Sequence, residues 1–169
     1  MHKHDYLFSI LEADAFTGLN NLRSLNLTKN NLWTVPSSTF CGLHSLRFLN
    51  LSVNFLQDAN ELGFTQNCNI PLEKLDLSQN SLASIPTNAF SQLISLEVLR
   101  LDNNRLNVLE DQAFGGLVHL KTLSLANNQL GMVSYKMSID TIYGTFKTSY
   151  AKICIRKLTV FNILVHKRE

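Results

Sequence analysis

Leucines recur along this chain in the pattern L-x-x-L-x-L-x-x-N-x-L, which is present five times without a missing leucine or asparagine. The five copies begin at Leu22, Leu46, Leu72, Leu96 and Leu120, so their starts are spaced by 24, 26, 24 and 24 residues. Self-similarity at such a period is typical of a chain built from stacked copies of one supersecondary unit. The pattern therefore predicts an elongated structure in which each unit contacts mainly its two neighbours.

The first part of each unit alternates between leucines and polar residues, which indicates a short β-strand with two different faces. In the fourth copy, Leu99 and Leu101 are expected to point inward, and Arg100 and Asp102 outward. The asparagine falls where the chain turns, and its amide offers both a donor and an acceptor to buried backbone groups. Leaving such groups unpaired would cost roughly 1–3 kcal/mol each. We therefore predict one structural ladder, formed by Asn30, Asn54, Asn80, Asn104 and Asn128.

The second part of each unit is apolar at fixed positions as well. Phe40, Phe64, Phe90 and Phe114 each lie 18 residues after the first leucine of their unit. A buried Leu or Phe contributes roughly 1.5–3 kcal/mol, but only stacked units have the surface to bury them. These features are those of the leucine-rich repeat signature. That resemblance implies the α/β class: a horseshoe-shaped solenoid with a parallel β-sheet on its concave face, here with about five full repeats and partial ends.

The repeat register sets the expected domain limits. It extends upstream through the apolar residues Phe8, Leu11, Phe16 and Leu19, and downstream to Val133. Beyond that point the strand leucines are replaced by Gly144, Lys147 and Ser149. Residues 1–133 carry a net charge of −3, whereas residues 134–169 carry +5. We predict a solenoid at 7–133, as a piece of a longer one, and a divergent, poorly ordered basic tail at 134–169.

Two return segments, "IPTNAF" and "VLEDQAFGGL", resemble those of extracellular leucine-rich repeat proteins. The stretches "LWTVPSSTFCGLHSLRFLNL" and "FLNLSVNFLQDANELGFTQNCN" resemble the ectodomain of insect Toll receptors. This likeness implies an extracellular recognition surface with a role in innate immune signal transduction. It also implies a membrane-spanning helix and a signalling domain, which would lie outside this sequence. On that basis we expect a cell-surface location.

Two sequons match N-x-[ST], at Asn26-Leu27-Thr28 and at Asn50-Leu51-Ser52. In a secretory setting both asparagines would be glycosylation sites. Each occupies the outward slot between two strand leucines, so glycans there would cover part of the inner curve. The alternative is that these tripeptides arise freely, because the repeat itself supplies the leucine and often the serine.

The three cysteines include two that come from neighbouring repeats. Cys41 directly follows Phe40, and Cys68 lies four residues after Phe64, within the two-residue insertion of the second repeat. Neighbouring strands lie roughly 4.8 Å apart, and a disulfide needs Cα atoms roughly 4.4–6.8 Å apart. We predict a Cys41–Cys68 disulfide in an oxidising compartment. The alternative is two buried free thiols, and Cys154 has no evident partner.

The outward strand positions form the predicted ligand-binding surface, since the inner curve of a solenoid is an extended concave surface. These residues are Arg23, Lys29, Arg47, Phe48, Glu73, Lys74, Asp76, Glu97, Arg100, Asp102, Lys121 and Thr122. Phe48 stands among charged residues and is a candidate hot spot. For each residue the alternative is a solvated position without a ligand. Trp33 is expected to be exposed, with a role in packing or in a lateral contact.

Motifs for catalysis are absent from the sequence: it has no G-x-x-x-x-G-K-[ST], no G-x-S-x-G and no H-E-x-x-H. His2, His4 and Asp5 resemble a ligand cluster but lie at the start of the chain, where fraying is common. We therefore predict no enzyme, no cofactor, no metal site and no nucleic-acid partner. No apolar run approaches the length of a membrane span, and the first residues lack the apolar core of a signal peptide.

Three functional hypotheses follow from the sequence. The first is a receptor-class module that recognises a protein ligand or a partner receptor. The second is an extracellular adhesion or matrix protein with the same solenoid and no signalling role. The third, an enzyme fused to repeats, would need a catalytic domain outside this chain.

Overall fold

The computed structural model describes residues 10–64 and 68–130, together with the backbone of residues 152–154. Each of the five repeats contributes one three-residue strand, and shorter strands occur on the return path. The strands are β1 (Ser24–Asn26), β2 (Phe48–Asn50), β3 (Lys74–Asp76), β4 (Ser84–Ile85), β5 (Val98–Arg100), β6 (Val108–Leu109), β7 (Thr122–Ser124) and β8 (Lys152–Cys154).

The main sheet has the order β1-β2-β3-β5-β7-β8, and every pair in it is parallel. The central leucine of each repeat stands opposite the central leucine of the next, as in the pairs Leu49↔Leu75 and Leu75↔Leu99. A second, two-stranded parallel sheet joins β4 and β6 on the return path. The predicted solenoid with a parallel sheet is thus confirmed, because one strand per repeat stacks in constant register.

The side opposite the sheet is built from turns, with one 3-10 helix at Ala59–Glu61. The described residues contain no α-helix, so the α/β label applies to the solenoid class and not to helices in this chain. Ser38, Asn88 and Gln112 occupy the same repeat position and have φ of 68°, 57° and 57°. A residue in the left-handed backbone conformation at that point interrupts a right-handed helix. The return path therefore consists of a series of tight turns.

Leucines and phenylalanines from every repeat merge into one continuous core. Phe40, Phe90 and Phe114 are fully buried, whereas Phe64 is partly buried against the same core. The ring centroids of Phe40 and Phe64 are 5.7 Å apart, and those of Phe90 and Phe114 are 6.5 Å apart. These spacings lie within the range at which aromatic rings attract each other. The phenylalanine stripe is therefore core, as the repeat pattern predicts.

The asparagines form a hydrogen-bonded ladder along the turns. Asn104 Nδ2 donates to the carbonyls of Leu77, Leu101 and Asp102, and its Oδ1 accepts from the backbone N–H of Leu82. The same four bonds recur, one repeat apart, at Asn54, Asn80 and Asn128. At Asn30 the amide donates to two carbonyls of its own turn. The amides of four asparagines thus join their own loop to the loop of the preceding repeat: Asn54, Asn80, Asn104 and Asn128.

Cys41 and Cys68 are joined in a disulfide, with their Cα atoms 4.6 Å apart. Cys68 is buried and Cys41 is half-buried beside the phenylalanine stack. In the same two repeats, a backbone bridge links Val35 to Leu62. On the return path, the irregular second repeat is therefore tied to the first by a covalent bond and by a backbone bridge, in addition to the pairing of β1 with β2.

The tail adds a sixth strand to the sheet. Residue Ile153 of β8 stands opposite Leu123 of β7, which is 30 residues earlier instead of the usual 24. Gly144, Lys147 and Ser149, where the 24-residue period would continue, lie outside the described residues, as do Phe8, Val133 and the histidines at the start. The division of the chain at residue 133 remains a prediction.

Candidate functional site

The concave face is formed by the outward residues of the main sheet, which the register arranges in rows across the repeats. One row runs from Ser24 through Phe48, Lys74 and Val98 to Thr122. A second row runs Asn26, Asn50, Asp76, Arg100, Ser124. Of the predicted surface residues, the exposed ones are Arg23, Lys29, Phe48, Lys74, Arg100 and Lys121. The structure thus brings residues that are 24 to 26 positions apart into direct lateral contact.

Most charges on this face are paired with a charge from the next repeat. Arg47 Nε lies 3.5 Å from Glu73 Oε1, and Lys121 Nζ lies 2.6 Å from Glu97 Oε1. Exposed pairs of this kind contribute only about 0–1 kcal/mol to stability. A protein partner with complementary charges could therefore replace these pairings at small cost. The face is a mosaic of both signs and not a field of one sign.

Arg100 is the centre of the largest charged group. Its Nη1 lies 3.3 Å from Asp76 Oδ2, and its Nε lies 3.4 Å from Asp102 Oδ2. Just over half of the Arg100 side chain is exposed, whereas the two carboxylates are mostly covered. The guanidinium therefore lies exposed between two largely covered carboxylates in the middle of the face.

Asp102 does not point freely outward, contrary to the expectation from strand alternation. It is 6% exposed, and its carboxylate accepts hydrogen bonds from the Ser124 hydroxyl and from the Ala126 N–H at 3.1 Å. The residue falls just after β5, where the chain turns and the neighbouring repeat covers it. Its side chain links two repeats, and little of it remains for contact with a partner.

Phe48 is 38% exposed on the concave face, and Lys74 Nζ lies 5.1 Å from its ring centroid. A cation at this distance is attracted to the negative face of the ring. Both residues were predicted as surface residues, but their contact follows only from the register of β2 and β3. The pair is the one aromatic contact on the concave face in the described part of the chain.

Trp33 is 52% exposed and stacks on Phe55, which is 43% exposed, with ring centroids 5.3 Å apart. The pair lies on the flank of the solenoid, after the turn that follows β1 and β2. Sequence reasoning expected Trp33 to be exposed but did not include Phe55. The sequence did contain a signal for Phe55. It directly precedes the last leucine of its repeat, a position at which the other repeats carry polar residues.

The two sequon asparagines are directly opposite each other on neighbouring strands. Asn26 Oδ1 accepts from the Thr28 N–H at 3.0 Å, and Asn50 Oδ1 accepts from the Ser52 N–H at 2.9 Å. Asn26 is exposed, and Asn50 is half-buried. Glycosylation at these positions remains a prediction.

Within the described residues, no group of three or more His, Cys, Asp and Glu side chains is arranged to hold a metal ion. His44 and His119 are both exposed on turns. None of the described helices has the length and apolar character needed to cross a membrane.

Stacked parallel strands, the asparagine ladder and the phenylalanine core define a leucine-rich repeat solenoid. The chain belongs to the leucine-rich repeat family, whose sequence profile matches residues 5–56 and 70–130, more than half of its length. This is a non-catalytic protein-interaction fold whose curvature creates extended binding surfaces.

The solved structures that share this fold with the chain include the following two. The leucine-rich repeat domain of APL1B has a TM-score of 0.63 and 22% identity, over 76% of this chain and 38% of that one. A chain of the Toll–Spatzle complex, described as a molecular hub in Drosophila development and innate immunity, has a TM-score of 0.66 and 24% identity. That match covers 72% of this chain and 16% of the other. At these identities the likeness is one of fold, and the chain spans well under half of either protein.

Proposed function

We propose that this chain is the recognition part of a Toll-like receptor ectodomain and binds a protein ligand or a partner receptor through its concave face. The observation that carries the proposal is the surface of mixed charges around Lys74 and Arg100, which extends across β3, β5 and β7. Such a surface matches protein interfaces, where Arg residues are enriched and supply a large part of the binding energy.

Two features support an extracellular setting for this surface. The Cys41–Cys68 disulfide joins neighbouring repeats, and disulfides form and persist mainly in oxidising compartments. The asparagines of both sequons lie on the same face of the sheet, where Asn26 is exposed and Asn50 is half-buried. The likeness in fold to a chain of the Toll–Spatzle complex agrees with this setting.

Purified Spatzle, named with the Toll structure, is the probe for a binding experiment with the full chain on a biosensor surface. We expect binding that the double variant K74E/R100E weakens about tenfold, equivalent to ~1.4 kcal/mol. Both substitutions reverse exposed positive charges at the middle of the face. The matched control is D111K, which reverses an exposed charge on the turn side of the solenoid.

Equal binding by the wild type and K74E/R100E would remove the concave face from the proposal. Absence of Spatzle binding would favour the second candidate, an extracellular adhesion or matrix protein with the same solenoid. That candidate rests on the family match, which shows a protein-interaction fold. A full-length transcript that encodes a membrane span and a signalling domain would favour the receptor.

A further inference from the structure

We propose that an N-linked glycan on Asn50 packs its first N-acetylglucosamine against the ring of Phe48, which makes the β1–β2 end of the concave face a sugar-covered surface. The proposal rests on the extracellular setting of the proposed function. It assigns the exposed ring to an intramolecular sugar contact, and it limits where a protein partner can bind.

Phe48 and Asn50 are two residues apart on β2, so their side chains leave the same face of the sheet. Leu49 between them is buried on the opposite side. Their Cα atoms are separated by about 6.6 Å, given a rise of roughly 3.3 Å per residue. A sugar attached at Asn50 thus begins within reach of the ring and on the correct side.

The Asn50 amide is compatible with an attached sugar in the folded chain. Its Oδ1 accepts from the Ser52 N–H at 2.9 Å, and within the described residues its Nδ2 makes no hydrogen bond. Glycosylation transfers an oligosaccharide from a lipid-diphosphate donor to this nitrogen. The sugar C1–N bond forms, the C1–O bond to the diphosphate breaks, and the amide loses one proton. The ladder asparagines differ, because Asn54 Nδ2 donates to three backbone carbonyls.

The two strands beside Phe48 present different side chains to its ring. Lys74 of β3 places its Nζ 5.1 Å from the ring centroid. On the β1 side the register partner is Ser24, which is small and exposed. The negative face of an aromatic ring attracts the polarised C–H bonds of a sugar, as it attracts a cation. A pyranose ring from Asn50 therefore has space and a favourable surface beside Phe48.

The first repeat supplies an internal control for this contact. Asn26 has the same sequon, and its Oδ1 accepts from the Thr28 N–H at 3.0 Å. Two residues before it stands Ser24 instead of an aromatic residue. The two sites thus share strand geometry and amide orientation, and they differ in the presence of a ring.

The contact has a consequence for recognition. Asn26 and Asn50 are register partners, so glycans on both would start roughly 4.8 Å apart and spread over β1 and β2. The part of the concave face left for a protein would be the charged surface of β3, β5 and β7, which includes Lys74 and Arg100. The partner would then meet charges, while Phe48 stays under the sugar.

A thermodynamic cycle on the full chain, secreted from insect cells, tests the contact. The four proteins are the wild type, F48S, N50Q and F48S/N50Q, with occupancy at Asn50 measured by mass spectrometry and Tm by thermal unfolding. We expect F48S to lower Tm by about 2–4 °C more in the glycosylated background than in the N50Q background. F48S also removes the Lys74–Phe48 contact. That loss occurs in both backgrounds, so it cancels when the two changes in Tm are compared.

An equal Tm loss in both backgrounds, or an unoccupied Asn50 in the wild type, would overturn the proposal. If F48S is not secreted, F48L replaces it in the same cycle, because leucine keeps an apolar side chain but has no aromatic face. We expect the same larger Tm loss in the glycosylated background than in the N50Q background, and equal losses would count against the proposal. Spatzle binding by N50Q reports separately on the proposed function.

Discussion

Asn104 shows why this repeat requires an amide and not merely a polar residue. The side chain is buried, donates to three carbonyls and accepts from one backbone N–H. Among side chains of this size, only the asparagine amide combines an NH₂ group that donates with a carbonyl oxygen that accepts. A carboxylate would keep the acceptor and place negative charge against three carbonyl oxygens.

We therefore expect N104A to lower the free energy of unfolding by about 1–3 kcal/mol, since buried backbone groups lose their partners. The nearly isosteric N104D should cost more, because a buried anion without a donor is more costly than a cavity. Urea unfolding with an unchanged m-value measures both losses. The control is R105A at the adjacent exposed position, which should stay within about 0.5 kcal/mol of wild type. A milder effect of N104D than of N104A would contradict this account.

Val53 occupies a backbone conformation that suits other residues better. Its φ is 56°, and the equivalent positions hold Lys29, Gln79, Asn103 and Asn127 with φ of 55° to 56°. A β-branched residue in the left-handed region is strained, whereas asparagine tolerates that region. The turn geometry is set by the ladder and by the Val53 N–H bond to the Ser78 carbonyl, so the residue must conform.

The variant V53N should stabilise the protein by roughly 0.5–1 kcal/mol, because it relieves part of the backbone strain. A strained residue of this kind costs ~1–3 kcal/mol. Part of the gain is offset because the valine side chain is half-buried. The reciprocal change, Q79V, should destabilise by a similar amount, since Gln79 is exposed and has the same φ. Thermal unfolding of both variants decides the matter: shifts of equal sign would refute the strain argument.

At the scale of elements, the second repeat is the irregular one. It carries the 3-10 helix at Ala59–Glu61, and its return path is extended by two residues between Phe64 and Leu72. Asp58 caps the short helix by accepting from the Asn60 N–H at 2.8 Å. The disulfide closes a sequence separation of 27 residues across this region. The cross-link thus acts where the regular repeat contacts are interrupted.

Removing the cross-link, in the variant C41A/C68A, should reduce the free energy of unfolding by about 3 kcal/mol, because the unfolded chain regains the freedom of the closed loop. Urea unfolding with and without a reductant is the measurement. Reduction should lower the midpoint of the wild type and leave the double variant unchanged. A midpoint of the wild type that does not respond to reductant would contradict a stabilising role.

For the whole molecule, burial is deeper in the middle of the stack than at β1. Leu99 of β5 is fully buried, whereas Leu25 of β1 is half-buried. In the described part of the chain, β1 has a neighbouring strand on one side only, whereas β5 lies between β3 and β7. Stability of a repeat array is a sum of units and of interfaces between neighbours.

This gradient predicts unequal costs for one chemical change. L99A should cost about 2–5 kcal/mol, as for a leucine deleted from a packed core. L25A should cost less, about 1–2 kcal/mol, because the half-buried Leu25 side chain contributes less buried apolar surface to the core. Equilibrium unfolding compares the two, and hydrogen exchange should show earlier opening at β1 than at β5. Equal losses would argue that β1 is as well packed as the centre.

The sequence by itself determined the repeat period, the inward leucines, the phenylalanine core and the asparagine turn. These features follow from local spacing, because side-chain direction alternates along a strand and each repeat must pack on an identical one. For the same reason the rows of outward residues, including Lys74 and Arg100, could be predicted as surface.

Only the tertiary structure decided which outward residues remain available to a partner. Asp102 is covered by the next repeat, and Phe55 joins Trp33 on the flank. The sixth strand, β8, pairs with β7 at a spacing of 30 residues, which the leucine pattern does not predict. Each of these features depends on atoms brought together from separate repeats, and a periodic pattern specifies which face a residue occupies without specifying what lies beside it.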